Sequence, residues 1–420
     1  MNVQTTTLPS GLRIVSDAMP EARTASLTVH VAAGSRHESD AEHGLAHLLE
    51  HMAFKGTGTR SARAIAEEIE AVGGDINAAT ATEQTSYYAR LLPEHLGLAL
   101  EIMADILLRS TFDHDELQRE KSVILQEIGA AEDQPDDLVM DLFSAAAFPD
   151  QPIGRPILGT ASRVRGFDRQ AILSYLDRHY AAPGIVIAAA GAVEHERLAE
   201  GAARLFDALP VHEAAPPAPA RYRGGEARLK RRHEQVNMVL GFEGVSHTDP
   251  DNYAAHVFSN AIGEGMSSRL FQEVRERRGL AYSIDAFHWS FADTGLFGFH
   301  AATGRADAGE LVAVAVDQVA QATVDLGEDE IGRAKALMKV GLLSALESSP
   351  ARAERAARQT ALFGHVFTPA EIVARIDALG VDEVRRAGRR MIATPPTLVS
   401  LGPNGQVPTP DRVTERLGRL

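Results

Sequence analysis

HDELQREK, residues 114–121, returns as EDEIGRAK at residues 328–335. Glu116, Arg119 and Lys121 reappear as Glu330, Arg333 and Lys335, an offset of 214 in a chain of 420 residues. A repeat near half the chain length reads as a duplicated unit. The coarse order around the two segments agrees: each half runs through strands, a helix, further strands and then several helices. Between them, VHEAAPPAPA at residues 211–220 combines three prolines with small residues and no apolar period, the composition of a linker. The expected fold is α+β, with two homologous domains, each a mainly antiparallel sheet packed with several helices. The expected boundaries are residues 1–210, a linker over 211–225, and residues 226–420.

Local patterns fill in the first half. Leu27, Val29 and Val31 alternate with Thr28 and His30, which predicts a half-buried strand. Ile65, Ile69 and Val72 recur at helical spacing and stop at Gly73-Gly74. The Thr- and Tyr-rich stretch 77–92 predicts one or two strands, residues 96–108 and 113–131 long helices, and residues 185–188 a short buried strand.

Composition narrows the function. Hydrophobic residues make up 45% and charged residues 24%, so the chain is globular rather than disordered. A net charge of −15 argues against a nucleic-acid or anionic-membrane surface and suits cationic peptides. There is no cysteine, so a metal site has only His, Asp and Glu to draw on. No apolar run is long enough to span a membrane, and the start lacks a basic segment followed by an apolar one; the expected location is cytoplasmic.

HGLAHLLEHMAFKGT, residues 43–57, carries His47, Glu50 and His51 as H-x-x-E-H, among Leu45, Leu48, Leu49 and Met52. On a helix, positions i and i+4 share a face, so His47 and His51 can aim imidazole nitrogens at one point about 2.0–2.1 Å from a metal. Glu50 lies beside them, placed to take a proton from water without being a ligand. His43, one turn earlier, makes a competing His43/His47 pair or serves as a cap or support. A catalytic zinc usually takes three protein ligands. The helix at 113–131 offers Glu116, Glu120 and Glu127; Glu120 and Glu127 share a face, and a solvated acidic face is the bland alternative.

The segments GLAHLLEHMAFKGT, GGDINAATATEQTSYYA and REKSVILQE, in that order, resemble the inverted-zincin peptidases of the pitrilysin and mitochondrial processing peptidase family. The resemblance implies one zinc per chain held by His47, His51 and Glu127, with Glu50 as general base and Glu120 as a carboxylate orienting a ligand. It implies that Asn77, Ala78 and Thr80 lie on a strand to which an extended peptide adds through its backbone, a plain edge strand being the alternative. In the second half, GMSSRLFQEVRERRGLAYS (residues 265–283) resembles the segment where family members place an arginine and a tyrosine near the substrate. Arg275 and Tyr282 are the residues so implied, and both types donate hydrogen bonds to an oxyanion or peptide backbone. Arg277 and Arg278 read as solvated charges.

The offset carries Glu127 onto Gly341, and no H-x-x-E-H occurs after residue 60, so the second half has no equivalent site. Family members enclose a chamber with two such pairs of domains, in one long chain or two half-length subunits. This chain is half-length, which implies a homodimer or a heterodimer with a related subunit, in which Arg275 and Tyr282 of one subunit reach the zinc site of the other. The function so implied is a zinc endopeptidase for short or unfolded peptides. The competing readings are a non-catalytic assembly or substrate-binding subunit, and the catalytic half of a heterodimeric processing peptidase whose partner supplies a glycine-rich loop. Residues 260–265, NAIGEG, are a poor version of such a loop.

Overall fold

The computed structural model describes residues 2–419. The first sheet comprises β1 (Asn2–Thr7), β2 (Arg13–Ala18), β3 (Ala25–Val31), β4 (Asp75–Thr80), β5 (Thr85–Leu91) and β6 (Ile185–Gly191), in the order β1-β2-β6-β3-β5-β4. The second comprises β7 (Gly225–Leu229), β8 (Gln235–Gly244), β9 (Ala281–Ser290), β10 (Gly295–Gly304) and β11 (Thr397–Leu401), in the order β7-β11-β8-β10-β9. In each sheet a single neighbouring pair is parallel, β2 with β6 and β7 with β11, and the rest are antiparallel. Without β1, the two sheets have the same strand order and directions. The duplication read from one eight-residue echo therefore extends to topology, and the fold is α+β as expected.

The stretch 77–92 divides into β4 and β5, paired antiparallel with β4 outermost. The helix that ends before Gly73 starts at Ser61, whose side chain accepts the Ala64 N–H, and Gly73 takes φ 70, a left-handed conformation that glycine tolerates. The long helices span Leu96–Leu108 and His114–Asp133. Among the described residues no helix is long and apolar enough to cross a membrane.

Two segments depart from a simple division at the linker. One compact unit contains the residues up to Gly129, Arg155–Ala218 and Leu343–Thr368; the other contains Ala130–Gly154, Pro219–Leu342 and the chain from Pro369 onward. Each half thus contributes a helix to the other half's sheet. Helix Ser349–Phe363 packs on β2, β3 and β6 through Ala353, Ala356 and Ala357, all buried. Polar ties join it there: Ser349 Oγ lies 2.9 Å from Ser26 Oγ, Arg352 Nη1 3.2 Å from Asp17 Oδ2, and Arg13 donates to the Thr360 carbonyl at 2.8 Å.

This helix changes the expectation for β3. The alternation of apolar with polar side chains predicted one wet face, yet Ser26, Thr28 and His30 are buried as fully as Leu27, Val29 and Val31. The polar face is covered by a helix from more than 300 residues away. In the other unit, helix Pro135–Ala147 packs on β7, β8 and β11 with Val139, Phe143 and Ala147 inward. A Cβ at Gly241 of β8 would stand 2.6 Å from the Phe143 ring, so glycine at that position admits the ring. Truncating the fully buried Phe143 to alanine would cost about 3–5 kcal/mol.

Candidate metal centre

Helix Leu45–Ala53 is fastened by Leu45, Leu48, Leu49 and Met52, all buried in the first core. Its start has no side-chain cap of its own. Gly44 occupies the N-cap at φ 96, and a Cβ there would meet the backbone of Leu158 and Gly159 at 2.8 Å. The orphan amides go instead to Glu38, whose two oxygens accept the N–H groups of Gly44 at 2.9 Å and Ala46 at 2.7 Å. Burial pushes the Glu38 carboxyl up to about 8, against the pull of those two donors.

His47 and His51 lie one turn apart with ring centroids 4.6 Å from each other. Helix His114–Asp133, anchored by Leu117 and Ile124, brings Glu127 opposite them. Glu127 Oε2 stands 3.8 Å from His47 Nε2 and 3.5 Å from His51 Nε2. One ligand atom from each of the three residues lies within 4.8 Å of the others, and among the described residues no other cluster of three or more His, Cys, Asp or Glu does so.

These separations suit a zinc ion. Tetrahedral ligands 2.0–2.1 Å from a metal stand about 3.3 Å apart. Glu127 Oε2 is shielded from solvent and has no hydrogen-bond partner, an acceptor facing two imidazole nitrogens without a donor. Burial, followed by the neighbouring His51, lowers the His47 pKa to about 4, so its imidazole is neutral, as a ligand must be.

The surrounding groups are ordered around that point. Glu120, seven residues before Glu127, places Oε2 3.0 Å from His51 Nδ1, while its Oε1 meets Lys55 Nζ at 2.8 Å. Glu50 sits between the histidines in sequence, and its Oε2 accepts from Thr80 Oγ1 at 2.5 Å. Thr80 ends β4, the outermost strand, which also carries Asn77 and Ala78. The Asn77 side chain accepts the N–H of Ala78 at 2.9 Å. His43 does not join the cluster; its Nε2 lies 2.8 Å from the Pro156 carbonyl.

Arg275 and Tyr282 are brought together in the second unit. Arg275 lies in a π-helical turn, Phe271–Glu276, a rare geometry that is frequent at functional sites. Its guanidinium lies between two rings, 4.7 Å from the Phe271 centroid and 4.8 Å from the Tyr282 centroid. Tyr282 is 79% exposed. Arg277 and Arg278 both pair with Glu273 on the surface.

Sequence reasoning missed Glu38, Lys55, Phe271 and the contact of Thr80 with Glu50. None of them stands in a motif or a period that would have marked it.

Known proteins resemble this chain along almost its whole length. The family described as Insulinase (Peptidase family M16) matches residues 13–161, and that described as Peptidase M16 inactive domain matches residues 166–338. A protein of Rickettsia felis named "Uncharacterized zinc protease" is 36% identical over 96% of this chain and 98% of its own. A "probable mitochondrial-processing peptidase subunit beta" of Arabidopsis thaliana is 36% identical over 98% of this chain and 80% of its own. Among solved structures, a peptidase M16 inactive domain from Pseudomonas fluorescens has a TM-score of 0.89 at 22% identity, covering 97% of this chain and all of that one. A chain of complex III2 from Candida albicans has a TM-score of 0.87 at 23% identity, covering 99% of this chain and all of that one. At those identities the two structures speak for the fold alone, whereas the family matches and the two relatives carry the conclusion: the chain belongs to the insulinase family, peptidase family M16.

Proposed function

We propose that the chain is a zinc-dependent endopeptidase that cleaves short or unfolded peptides, with one zinc per chain, in a chamber closed by two subunits. The observation that carries this reading is the convergence of His47 Nε2 and His51 Nε2 on the unpartnered Glu127 Oε2, with Glu50 alongside. Zinc bound there supplies Lewis acidity, polarising a carbonyl and making a water easier to deprotonate. Glu50 does the proton transfer. Its Oε2 is engaged by Thr80, so Oε1 takes the proton from the attacking water and later delivers it to the leaving amine.

Glu120 orients His51 through Nδ1. An extended peptide adds to β4 along Asn77, Ala78 and Thr80, where backbone hydrogen bonds hold it with little regard to side chains. Arg275 and Tyr282, contributed by a second subunit, donate to the substrate's backbone or to the developing oxyanion. That a relative is named as a peptidase subunit favours a partner chain, identical or related.

Elemental analysis of the purified protein and of Glu127→Gln, beside cleavage of a quenched fluorescent peptide with and without chelator, tests the reading. Expected are about one zinc per chain, lost in the variant together with chelator-sensitive cleavage. A folded wild type that binds no zinc and stays inactive when zinc is added would move a non-catalytic binding subunit to first place.

A further inference from the structure

We propose that Lys55 is a positioning residue for the metal centre, holding Glu120 so that the carboxylate presents one defined oxygen to His51. The inference rests on the reading of His47, His51 and Glu127 as a zinc site.

Lys55 follows the histidine helix directly and belongs to a loop with its own anchor. Asp105, fully buried, accepts from Thr57 at 2.6 Å, Thr59 at 2.8 Å and Arg60 at 3.0 Å, and so fixes the path of residues 57–60. From this held backbone Lys55 Nζ reaches Glu120 Oε1 at 2.8 Å, while Glu120 Oε2 stays 3.0 Å from His51 Nδ1. The Glu120 side chain is only 8% exposed, so the protein itself supplies its partners. The terminal torsion of a glutamate is soft. A carboxylate held at one oxygen swings, but one held at both oxygens from two different segments does not. With Oε2 fixed on Nδ1, the imidazole of His51 carries its proton there and turns the Nε2 lone pair toward His47 and Glu127.

Zinc affinity, measured by competition with a fluorescent chelator on the full chain, tests this, with thermal unfolding of the metal-free proteins alongside. Lys55→Met and Lys55→Ala should each weaken zinc binding about tenfold or more, as should Glu120→Gln. Lys55→Met/Glu120→Gln should be no weaker than the worse single variant, and Lys55→Arg should recover most of the affinity. Zinc binding by Lys55→Met and Lys55→Ala within about twofold of wild type, while Glu120→Gln loses it, would overturn the proposal. Additive losses in the double variant would overturn it too. A wild type that binds no zinc would sink the metal-site reading itself, and this inference with it.

Discussion

Thr80 Oγ1 donates to Glu50 Oε2 at 2.5 Å, joining the last residue of the outermost strand to the carboxylate between the two histidines. The strand expected to hold a peptide and the group expected to move its proton are thus coupled by one short bond. Glu50 is not among the three clustered ligands, so Glu50→Gln leaves the metal set intact and removes the proton acceptor. The expected outcome is wild-type zinc content, an unchanged melting temperature and a fall in kcat of about 10²-fold or more. Near-normal turnover in peptide cleavage would remove Glu50 as the base.

Asp105 is the structural knot behind the site. Its side chain is completely buried, and besides Thr57, Thr59 and Arg60 it accepts from Arg109 Nε at 2.7 Å. Burial alone would raise its pKa, but these donors outweigh burial and bring it to about 2. Asp105→Ala leaves Arg109 without its carboxylate, Arg60 with Glu68 alone, and the Thr57 and Thr59 hydroxyls without the carboxylate they donate to, a loss of about 2–4 kcal/mol. Urea unfolding of the metal-free protein measures it. An unchanged midpoint would mean that the loop is held by something else.

How far the sequence could be read follows from which interactions are local. His47, Glu50 and His51 were legible because helical spacing alone brings them to one face, and the repeat was legible because three of its charged residues survive in register. Glu127 was one of three candidate glutamates until the family resemblance selected it, since nothing local says which acidic turn of a distant helix faces the histidines. The burial of both faces of β3 was not legible. Its cover, helix Ser349–Phe363, presents Ala353, Ala356 and Ala357 rather than large apolar residues, a weak signal for a helix that crosses to another sheet. Lys55 gave no helical or strand period. Its meaning depends on Glu120, 65 residues away.

Acid should destabilise the fold before it reaches the carboxylate range. Burial lowers the pKa of His30 to about 4, His37 to about 4 and His288 to about 3. His37 Nδ1 accepts the Gly34 N–H and His288 Nε2 accepts the Val245 N–H, both at 3.1 Å, bonds that protonation of those nitrogens would break. The unfolded histidines protonate near 6.5, so stability from these groups is complete above that pH and is lost as pH falls toward 4. Glu38, raised to about 8, and Asp141, raised to about 6, work in the opposite direction, as their folded forms hold protons. With His47, also lowered to about 4, four histidines against two carboxyls leave about two extra protons taken up on unfolding between pH 6 and 4.5, or about 2.7 kcal/mol per pH unit. Urea midpoints of the metal-free protein should therefore drop over that interval. Midpoints that stay level or rise would show that these histidines are not held neutral.

Arg275 offers a test of how a working site is assembled. Its guanidinium is confined between Phe271 and Tyr282, and Tyr282 is largely exposed, so the pair presents donors outward from the second unit. If a site takes Glu50 from one subunit and Arg275 from its partner, Glu50→Gln and Arg275→Ala homodimers are each inactive, but a mixed dimer contains one site with both residues intact. Random exchange makes half of the dimers mixed with one good site in two, so about a quarter of wild-type activity should return. If both residues act within one subunit, every site in the mixture carries a lesion and nothing returns. The measurement is peptide cleavage after co-refolding equal amounts of the two variants, with subunit exchange verified by differently tagged chains. Verified exchange without recovery would place the two residues in the same subunit's site.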